Sequence, residues 1–310
     1  MNNELSFNKK KVGNTRKKEQ ILFYISFVTL PLLQFFIYYI LVNAQSILFA
    51  FQGYDITTGK YFFNNFKNFV DLFDELSKGG IILVAIKNSL MLYGVTLLLG
   101  TSLALMFSYY VYKKFFGSVA FRVILYLPHI MSNVSVVSIY KYFVDIGVPY
   151  IWELFTGTKI TGLLANLDTQ FYTIMFLSIY LSFGNNVLIY TSSMSSISES
   201  VVESAELDGV SRLKEFWYIT LPMIFPTFIN FIVTGLANIF ANQMLLFDFY
   251  AETAEKKLFT LGYYLYREVQ QGGPDIYPHL STIGFVLTVI ISACTLTVRR
   301  LMAKFGPSVD

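Results

Sequence analysis

Charge is scarce in this chain. Only 14% of its 310 residues are Asp, Glu, Lys or Arg, and it has one cysteine and two histidines. A lone cysteine, Cys294, cannot close an intrachain disulfide. His129 and His279 stand far apart in sequence, so nothing suggests the converging ligands of a metal site. Catalytic signatures are missing too. The nearest approach to a phosphate loop, Gly53 to Lys60, sets Tyr54 to Thr58 between its glycines and has Tyr61 where Ser or Thr is required, so it is not a Walker A sequence. No nucleophile elbow or metalloprotease pattern occurs. A process driven by ATP would need the ATP hydrolysed on a different polypeptide.

What fills the chain instead is apolar. Hydrophobic residues make up 55% of it and its mean hydropathy is +0.54, beyond the range of soluble domains. Six stretches reach the roughly 20 residues that a helix needs to cross hydrocarbon, at about 21–42, 81–111, 121–144, 171–194, 222–247 and 281–298. The expected fold is therefore an all-α membrane protein of about six transmembrane helices. A basic tail over 1–20 precedes one membrane domain over 21–310, with connecting loops at 43–80, 145–170 and 248–280. Residues 43–80 could hold a short surface helix, and 145–170 includes Gly147-Val148-Pro149.

Positive charge sorts the loops. With a cytoplasmic N-terminus, 14 of the 23 Lys and Arg fall on inside segments, among them the run Lys9 to Lys18, the pair Lys113-Lys114 and the pair Arg299-Arg300. Both termini and the polar loop over about 195–222 are then cytoplasmic. The first apolar run is too long for a signal-peptide core and lacks a clear small-x-small cleavage site, so it reads as an uncleaved first helix. The basic run reads as a topology signal in contact with anionic membrane lipid, with no nucleic-acid partner.

The polar loop has its own local logic. Ser198 or Ser200 can cap a helix whose first turn carries Glu199 and Glu203, and acidic residues are favoured there. Gly209 supplies a turn at positive φ, so a helix ending near Asp208 can restart by Ser211 at a new angle. The second helix is amphipathic, with Leu213, Phe216, Trp217 and Ile219 set against Arg212, Lys214 and Glu215. Leu221-Pro222 leads into the next apolar stretch. Such a piece suits a cleft on another protein.

The string Glu203-Ser204-Ala205-Glu206-Leu207-Asp208-Gly209-Val210, followed by Ile219-Thr220-Leu221-Pro222, resembles the EAA loop of the membrane subunits of binding-protein-dependent ABC importers. That pattern reads E-A-A-x-x-D-G-A, a spacer, then I-x-L-P. Ser204 and Val210 depart from it. Weaker matches extend the resemblance over most of the chain and toward the carbohydrate branch, similar to the larger membrane subunit of maltose-type importers: Asn68-Phe69 with Ala85-Ile86-Lys87-Asn88-Ser89-Leu90, Arg122 with Tyr126-Leu127-Pro128, and Gly262 to Tyr266.

The resemblance implies a type I ABC importer permease in a bacterial cytoplasmic membrane, with no ATPase site of its own. Its partners would be a second, homologous permease, two ATP-binding subunits that hold ATP and Mg, and an external solute-binding protein docking on the outside loops. It also implies roles in the loop. Glu203 would anchor the ATPase by charge pairing, Gly209 would set the bend, and Phe216 with Leu221 would pack the loop onto its own helices. Ser204, Ala205, Asp208 and Pro222 complete the coupling element.

Candidates for a solute path come from helical spacing. Asn230, Thr234, Asn238 and Asn242 recur every four residues and form one drifting polar stripe on a helix. Ser178, Ser182, Asn186 and Tyr190 repeat the pattern in the preceding stretch, with Asn185 beside them. Amides and hydroxyls match sugar hydroxyls, and aromatic rings match the C–H face. The expected path residues are Asn238, Asn242, Asn185, Asn186, Tyr190 and Thr234, with Asn133 and Tyr140 behind them. The same residue types also join membrane helices by hydrogen bonds. A non-sugar importer and an ion-coupled carrier are the rival functions. A carrier should place ionisable groups at mid-membrane, whereas Lys87 and Lys141 lie near predicted helix ends.

Overall fold

The computed structural model describes residues 2–307, with side chains from Lys17 onward, so Lys9 to Arg16 of the basic run lie outside the described side chains. The chain divides into two compact units. One holds the residues up to Leu72 together with Gly273–Phe285, and the other holds Phe73–Gly272 with the residues from Val286 on.

In the first unit, α1 (Lys17–Ala50) is apolar all round, and its side chains are exposed until its last turns. A helix of that kind is suited to lipid or to another protein. The chain then reverses in an antiparallel hairpin of β1 (Gln52–Asp55) and β2 (Lys60–Phe63), where the loop reading expected no strands. Gly53 faces Phe62 across the pair, and a Cβ there would sit 2.7 Å from the ring. Asp55 closes the turn by accepting from Thr57 N at 2.8 Å and Thr58 Oγ1 at 2.7 Å. Those bonds, the Thr58 hydroxyl foremost, hold its carboxyl below the ordinary value of 3.8. Asn68, on α2 (Lys67–Ser77), donates to the carbonyls of Ala50 and Gln52, and Thr282 donates to Ala50 as well.

The second unit contains α3 (Ile81–Tyr112), α4 (Ser118–Ile130), α5 (Asn133–Thr156), α6 (Gln170–Ser195), α7 (Glu199–Leu207), α8 (Arg212–Met223) and α9 (Phe225–Ala237). It continues through the short α10 (Leu246–Tyr250) and α11 (Leu261–Gln271). The last helix, α12 (Tyr277–Phe305), begins in the first unit. Among the described residues five helices are long and apolar enough to cross a membrane, and the bent pair α8 and α9 makes a sixth.

Close packing of α3 and α6 forms the centre of this unit, where Ala104, Tyr109, Val187, Tyr190, Met194 and Ile224 are buried together. Ser108 Oγ bonds Ala104 O and crosses to Val187 O at 3.1 Å, a small hydroxyl drawing two helices together. Gly184 does the same for α4, since a Cβ on it would stand 2.5 Å from Leu125 O.

Two of the six expected stretches are corrected. The third was placed at about 121–144, but α4 stops at Ile130, in the turn after Pro128, and Ser132 caps a new helix by accepting from Ser135 N at 3.3 Å. The span is α5, which runs on through Gly147-Val148-Pro149 rather than leaving it in a loop. A wide π turn at Phe143–Gly147 resets the hydrogen-bond ladder, so Pro149 falls at the start of a fresh helical segment, where its missing N–H costs little. Lys141, expected near a helix end, therefore lies inside α5. It donates to Phe249 O and its ammonium sits 5.1 Å from the Tyr250 ring.

The fifth stretch, expected as one helix over 222–247, is broken. α8 and α9 meet at Ile224 with a bend of 68°, and α9 ends at Ala237. Asn238 stops it by turning its own side-chain amide back onto Thr234 O at 2.9 Å, a local bond that competes with helix continuation.

Candidate functional site

A cavity of about 290 Å³, with largely apolar walls that carry several hydroxyl and amide groups, lies between α3, α6 and the end of α9. The two stripes expected on separate helices meet here: Ser178, Ser182 and Asn186 from α6, and Thr234, Asn238 and Asn242 from α9 and the chain beyond it. Asn242 is not part of a helical stripe, because the helix ends five residues earlier; an irregular stretch of backbone brings it back to the wall. Its Oδ1 accepts from Met244 N at 2.8 Å, steadying Met244 and Leu245, both of which have positive φ.

The other expected path residues stand apart from this cavity. Asn185 is exposed on α6, Asn133 is exposed at the start of α5, and Asn230 is exposed on α9. Tyr190 is 1% exposed in the core, its ring 4.6 Å from Phe231, and its hydroxyl has no partner among the described residues. Tyr140 donates to Thr173 O at 2.9 Å and so ties α5 to α6.

The third wall escaped the sequence reading. Ser89, Tyr93, Thr96 and Thr101 of α3 line the cavity, and a π turn at Thr96–Gly100 widens the helix at that point. Their spacing from Ser89 to Thr96 is helical, and that period was available in the second apolar stretch. Gly235 lets Tyr93 approach α9, since a Cβ there would come 2.8 Å from the ring, and the Tyr93 hydroxyl reaches Ile232 O at 3.3 Å.

The polar loop takes the helix-turn-helix course that the local reading anticipated, but the expected division of faces on α8 is not kept: Glu215 is buried, and Leu213 and Trp217 are exposed. α7 ends at Leu207, Gly209 takes φ +70°, and the bonds Gly209 N to Glu206 O and Val210 N to Ala205 O, both 3.1 Å, form a Schellman cap. The chain restarts at Arg212. Ser198 precedes α7 but makes no side-chain cap; its hydroxyl pairs with that of Ser200. Ala205 is buried, whereas Glu203, Ser204 and Asp208 are exposed. Phe216 packs on Tyr109 with ring centres 5.1 Å apart, and Leu221 joins the same core, with Pro222 in the last turn of α8.

The ionic side of this loop was not foreseen. Lys113, at the end of α3, lies 2.7 Å from Glu215 Oε1 and 3.6 Å from Glu206 Oε1. Glu215 is 2% exposed, and its contact with Lys113 is one of charge without hydrogen-bond alignment. Tyr109 donates to Arg212 O at 2.9 Å, and the Arg212 guanidinium covers the Phe115 ring at 4.8 Å. Leu207, Leu213, Trp217 and Tyr218 remain exposed on the opposite side.

Known proteins resemble this chain in sequence and fold. The polygalacturonan/rhamnogalacturonan transport system permease protein YteP of Bacillus subtilis (strain 168) is 25% identical, over 91% of this chain and 88% of that protein. The multiple sugar-binding transport system permease protein MsmF of Streptococcus mutans is 21% identical over 90% and 95% of the two chains. Among solved structures, a chain of a bacterial ABC transporter that imports the acidic polysaccharide alginate matches with a TM-score of 0.76 at 21% identity, covering 95% of this chain and 99% of that one. The model of the family described as the binding-protein-dependent transport system inner membrane component matches residues 97–310, which take in the helix-turn-helix loop, the last span and the cavity walls contributed by α6 and α9. This chain belongs to that family and is a multi-pass membrane permease subunit of an ABC transport system, not an ATPase.

Proposed function

We propose that this permease forms one side of the import path for a carbohydrate, an oligosaccharide above all, and receives its driving force through the loop of α7 and α8. The observation that carries the reading is the meeting of Asn186, Thr234, Asn238 and Asn242 with Ser178 and Ser182 in one cavity. Amide and hydroxyl groups there match the alternating donors and acceptors of a sugar. The names of the relatives, which refer to polygalacturonan, multiple sugars and alginate, support the same class. Tyr190 would support the wall of this path through Phe231, whereas Asn185 stands outside it.

In this reading both termini and the loop are cytoplasmic. Exposed Glu203, Ser204 and Asp208, flanked by Leu207, Leu213 and Trp217, form the surface on which an ATP-binding subunit docks. Ala205, Gly209, Phe216, Leu221 and Pro222 keep that surface rigid on its own helices. ATP and Mg belong to the two ATP-binding subunits. A second, homologous permease completes the path, and an external binding protein delivers the sugar. Outside the membrane, one solved alginate importer of this fold is in complex with an alginate pentasaccharide-bound periplasmic protein.

The test is purification of the tagged chain from its native membrane in mild detergent, with identification of the co-purifying chains and an ATPase assay. Recovery of an ATPase, a second permease and a solute-binding protein, with the ATPase lost on Glu203→Ala, is the expected result. Recovery of this chain alone, with ion-driven uptake after reconstitution, would replace the importer with a secondary carrier. ATPase activity stimulated only by a non-sugar solute would keep the importer and overturn the carbohydrate.

A further inference from the structure

The surface of α2 (Lys67–Ser77) divides three ways. At about 3.6 residues per turn, Phe69 and Leu72 fall on one side, Lys67, Asp71 and Asp74 on a second, and Phe66, just before the helix, falls with Val70 and Phe73 on a third. The first side is packed. Leu72 is 2% exposed, and the Phe69 ring lies 5.2 Å from that of Phe51 and 6.1 Å from that of Phe285. The second side is charged and exposed, with Asp74 paired to Lys78 just past the helix. The third is apolar yet open: Phe66, Val70 and Phe73 are 56%, 67% and 59% exposed, and Phe63 of β2 adds to the open aromatic surface nearby. An apolar strip of this kind marks a surface that meets something other than water.

Where α2 is fastened decides what it meets. Asn68 donates to the carbonyls of Ala50 and Gln52 at 3.1 and 2.7 Å, which pins the helix to the end of α1, and Thr282 of α12 donates to Ala50 O at 3.1 Å. Both α1 and α12 have the length and composition of membrane spans. The side chains of α1 stay apolar and exposed as far as Ile47 and Leu48, one turn before that attachment, so lipid reaches the level at which α2 is held.

From this arrangement we infer that α2 is an interfacial anchor, lying along the membrane surface with Phe66, Val70 and Phe73 at the boundary of headgroups and acyl chains and with Lys67, Asp71 and Asp74 in water. The direction of its axis follows from the pattern. Both open sides run along the helix, so the border between water and lipid runs beside the axis; an upright helix would change from apolar to polar along its length instead. Aromatic side chains favour this depth. With two acids and one base on its polar side, α2 is held by apolar burial rather than by attraction to anionic headgroups. The inference rests on the membrane spans alone and is independent of the solute.

The test places a nitroxide at single cysteines in the complete transporter, reconstituted in vesicles of phosphatidylethanolamine and phosphatidylglycerol, after Cys294→Ser removes the native thiol. Val70→Cys and Phe73→Cys report the apolar side, Lys67→Cys and Asp71→Cys the charged side, and ATP-dependent uptake by each labelled protein shows that it is assembled. Relaxation by oxygen, which concentrates in lipid, is compared with relaxation by a water-soluble nickel chelate. Oxygen is expected to dominate at 70 and 73 and the chelate at 67 and 71, a reversal within one turn. Dominance of the chelate at 70 and 73 would put that side in water and overturn the anchor. Low access of both reagents at 70 and 73 would mean that a protein partner covers it, and would overturn the anchor too.

Discussion

Lys113 and Glu215 form an ion pair, 2.7 Å apart, between the end of α3 and the start of α8, and Glu215 is almost fully buried. The pair fastens the helix-turn-helix loop to a helix that also lines the cavity. Losing one partner leaves the other charge stranded in a poorly hydrated place. Lys113→Met alone, or Glu215→Gln alone, should therefore be destabilising, the former by about 3–5 kcal/mol, while Lys113→Met with Glu215→Gln should recover much of the loss. Thermal unfolding of the two single variants and the double variant, read as a double-mutant cycle, checks this; independent, additive losses would exclude the pair as a clamp.

Gly209 bears positive φ with open space where a side chain would go. Substitution there acts on the backbone alone. Gly209→Val should cost about 1–2 kcal/mol in the cap and raise the ATP hydrolysed per solute imported, whereas Gly209→Asn should be milder because Asn tolerates the left-handed region. The ratio of hydrolysis to uptake in proteoliposomes is the readout, and unchanged coupling in the Val variant would count against the loop as the transmission element.

Gly184 is a contact glycine of a different kind, with φ in the ordinary helical range and Leu125 O where its Cβ would be. Gly184→Ala should push α4 away from α6 and destabilise the subunit by about 1–3 kcal/mol. A melting temperature equal to wild type in detergent would show that α4 yields freely.

Asn242 supports two residues with left-handed backbone through one bond to Met244 N. Asn242→Ala should cost about 1 kcal/mol in stability and raise the KM for uptake. Asn185→Ala, on α6 but outside the cavity lining, should leave KM near wild type. Equal effects of the two substitutions would dissolve the distinction between wall and exterior.

The hairpin turn responds to acid. Folding holds the Asp55 carboxyl below its ordinary 3.8 through the Thr58 and Thr57 bonds. A depressed folded value means that its contribution is fully present above the unfolded value and is lost as pH falls through the folded one. Turn order, followed by amide exchange at Thr57, should be constant from neutral pH down to about 3.8 and fall below it, and Asp55→Asn should abolish that transition.

Much of this molecule was legible in its residues, for identifiable reasons. Gly209 and the apolar run after it are local signals, and local signals gave the helix-turn-helix loop in register. The apolar stretches marked four of the six spans well because length and composition decide them. Two failed where hydrogen bonding overrides hydropathy: Asn238 ends a helix that composition would continue, and a π turn carries α5 through Pro149. The cavity was half legible. Periodicity found Asn186 and Thr234, but Tyr190 shares the same period and faces the core, since a helix in a bundle can turn one polar stripe toward either a cavity or a neighbour. Lys113 and Glu215 were invisible because their proximity depends on tertiary packing.

The 68° bend at Ile224 makes α8 and α9 a crank rather than a rod. Ile224 is 1% exposed, so the elbow is gripped in the core. Under the proposed coupling, thrust applied along α8 would not pass down the axis of α9 but would swing that helix sideways, moving Thr234 and Gly235, near its far end, furthest. A lever of this shape would turn an axial stroke at the loop into a lateral change in the width of the cavity.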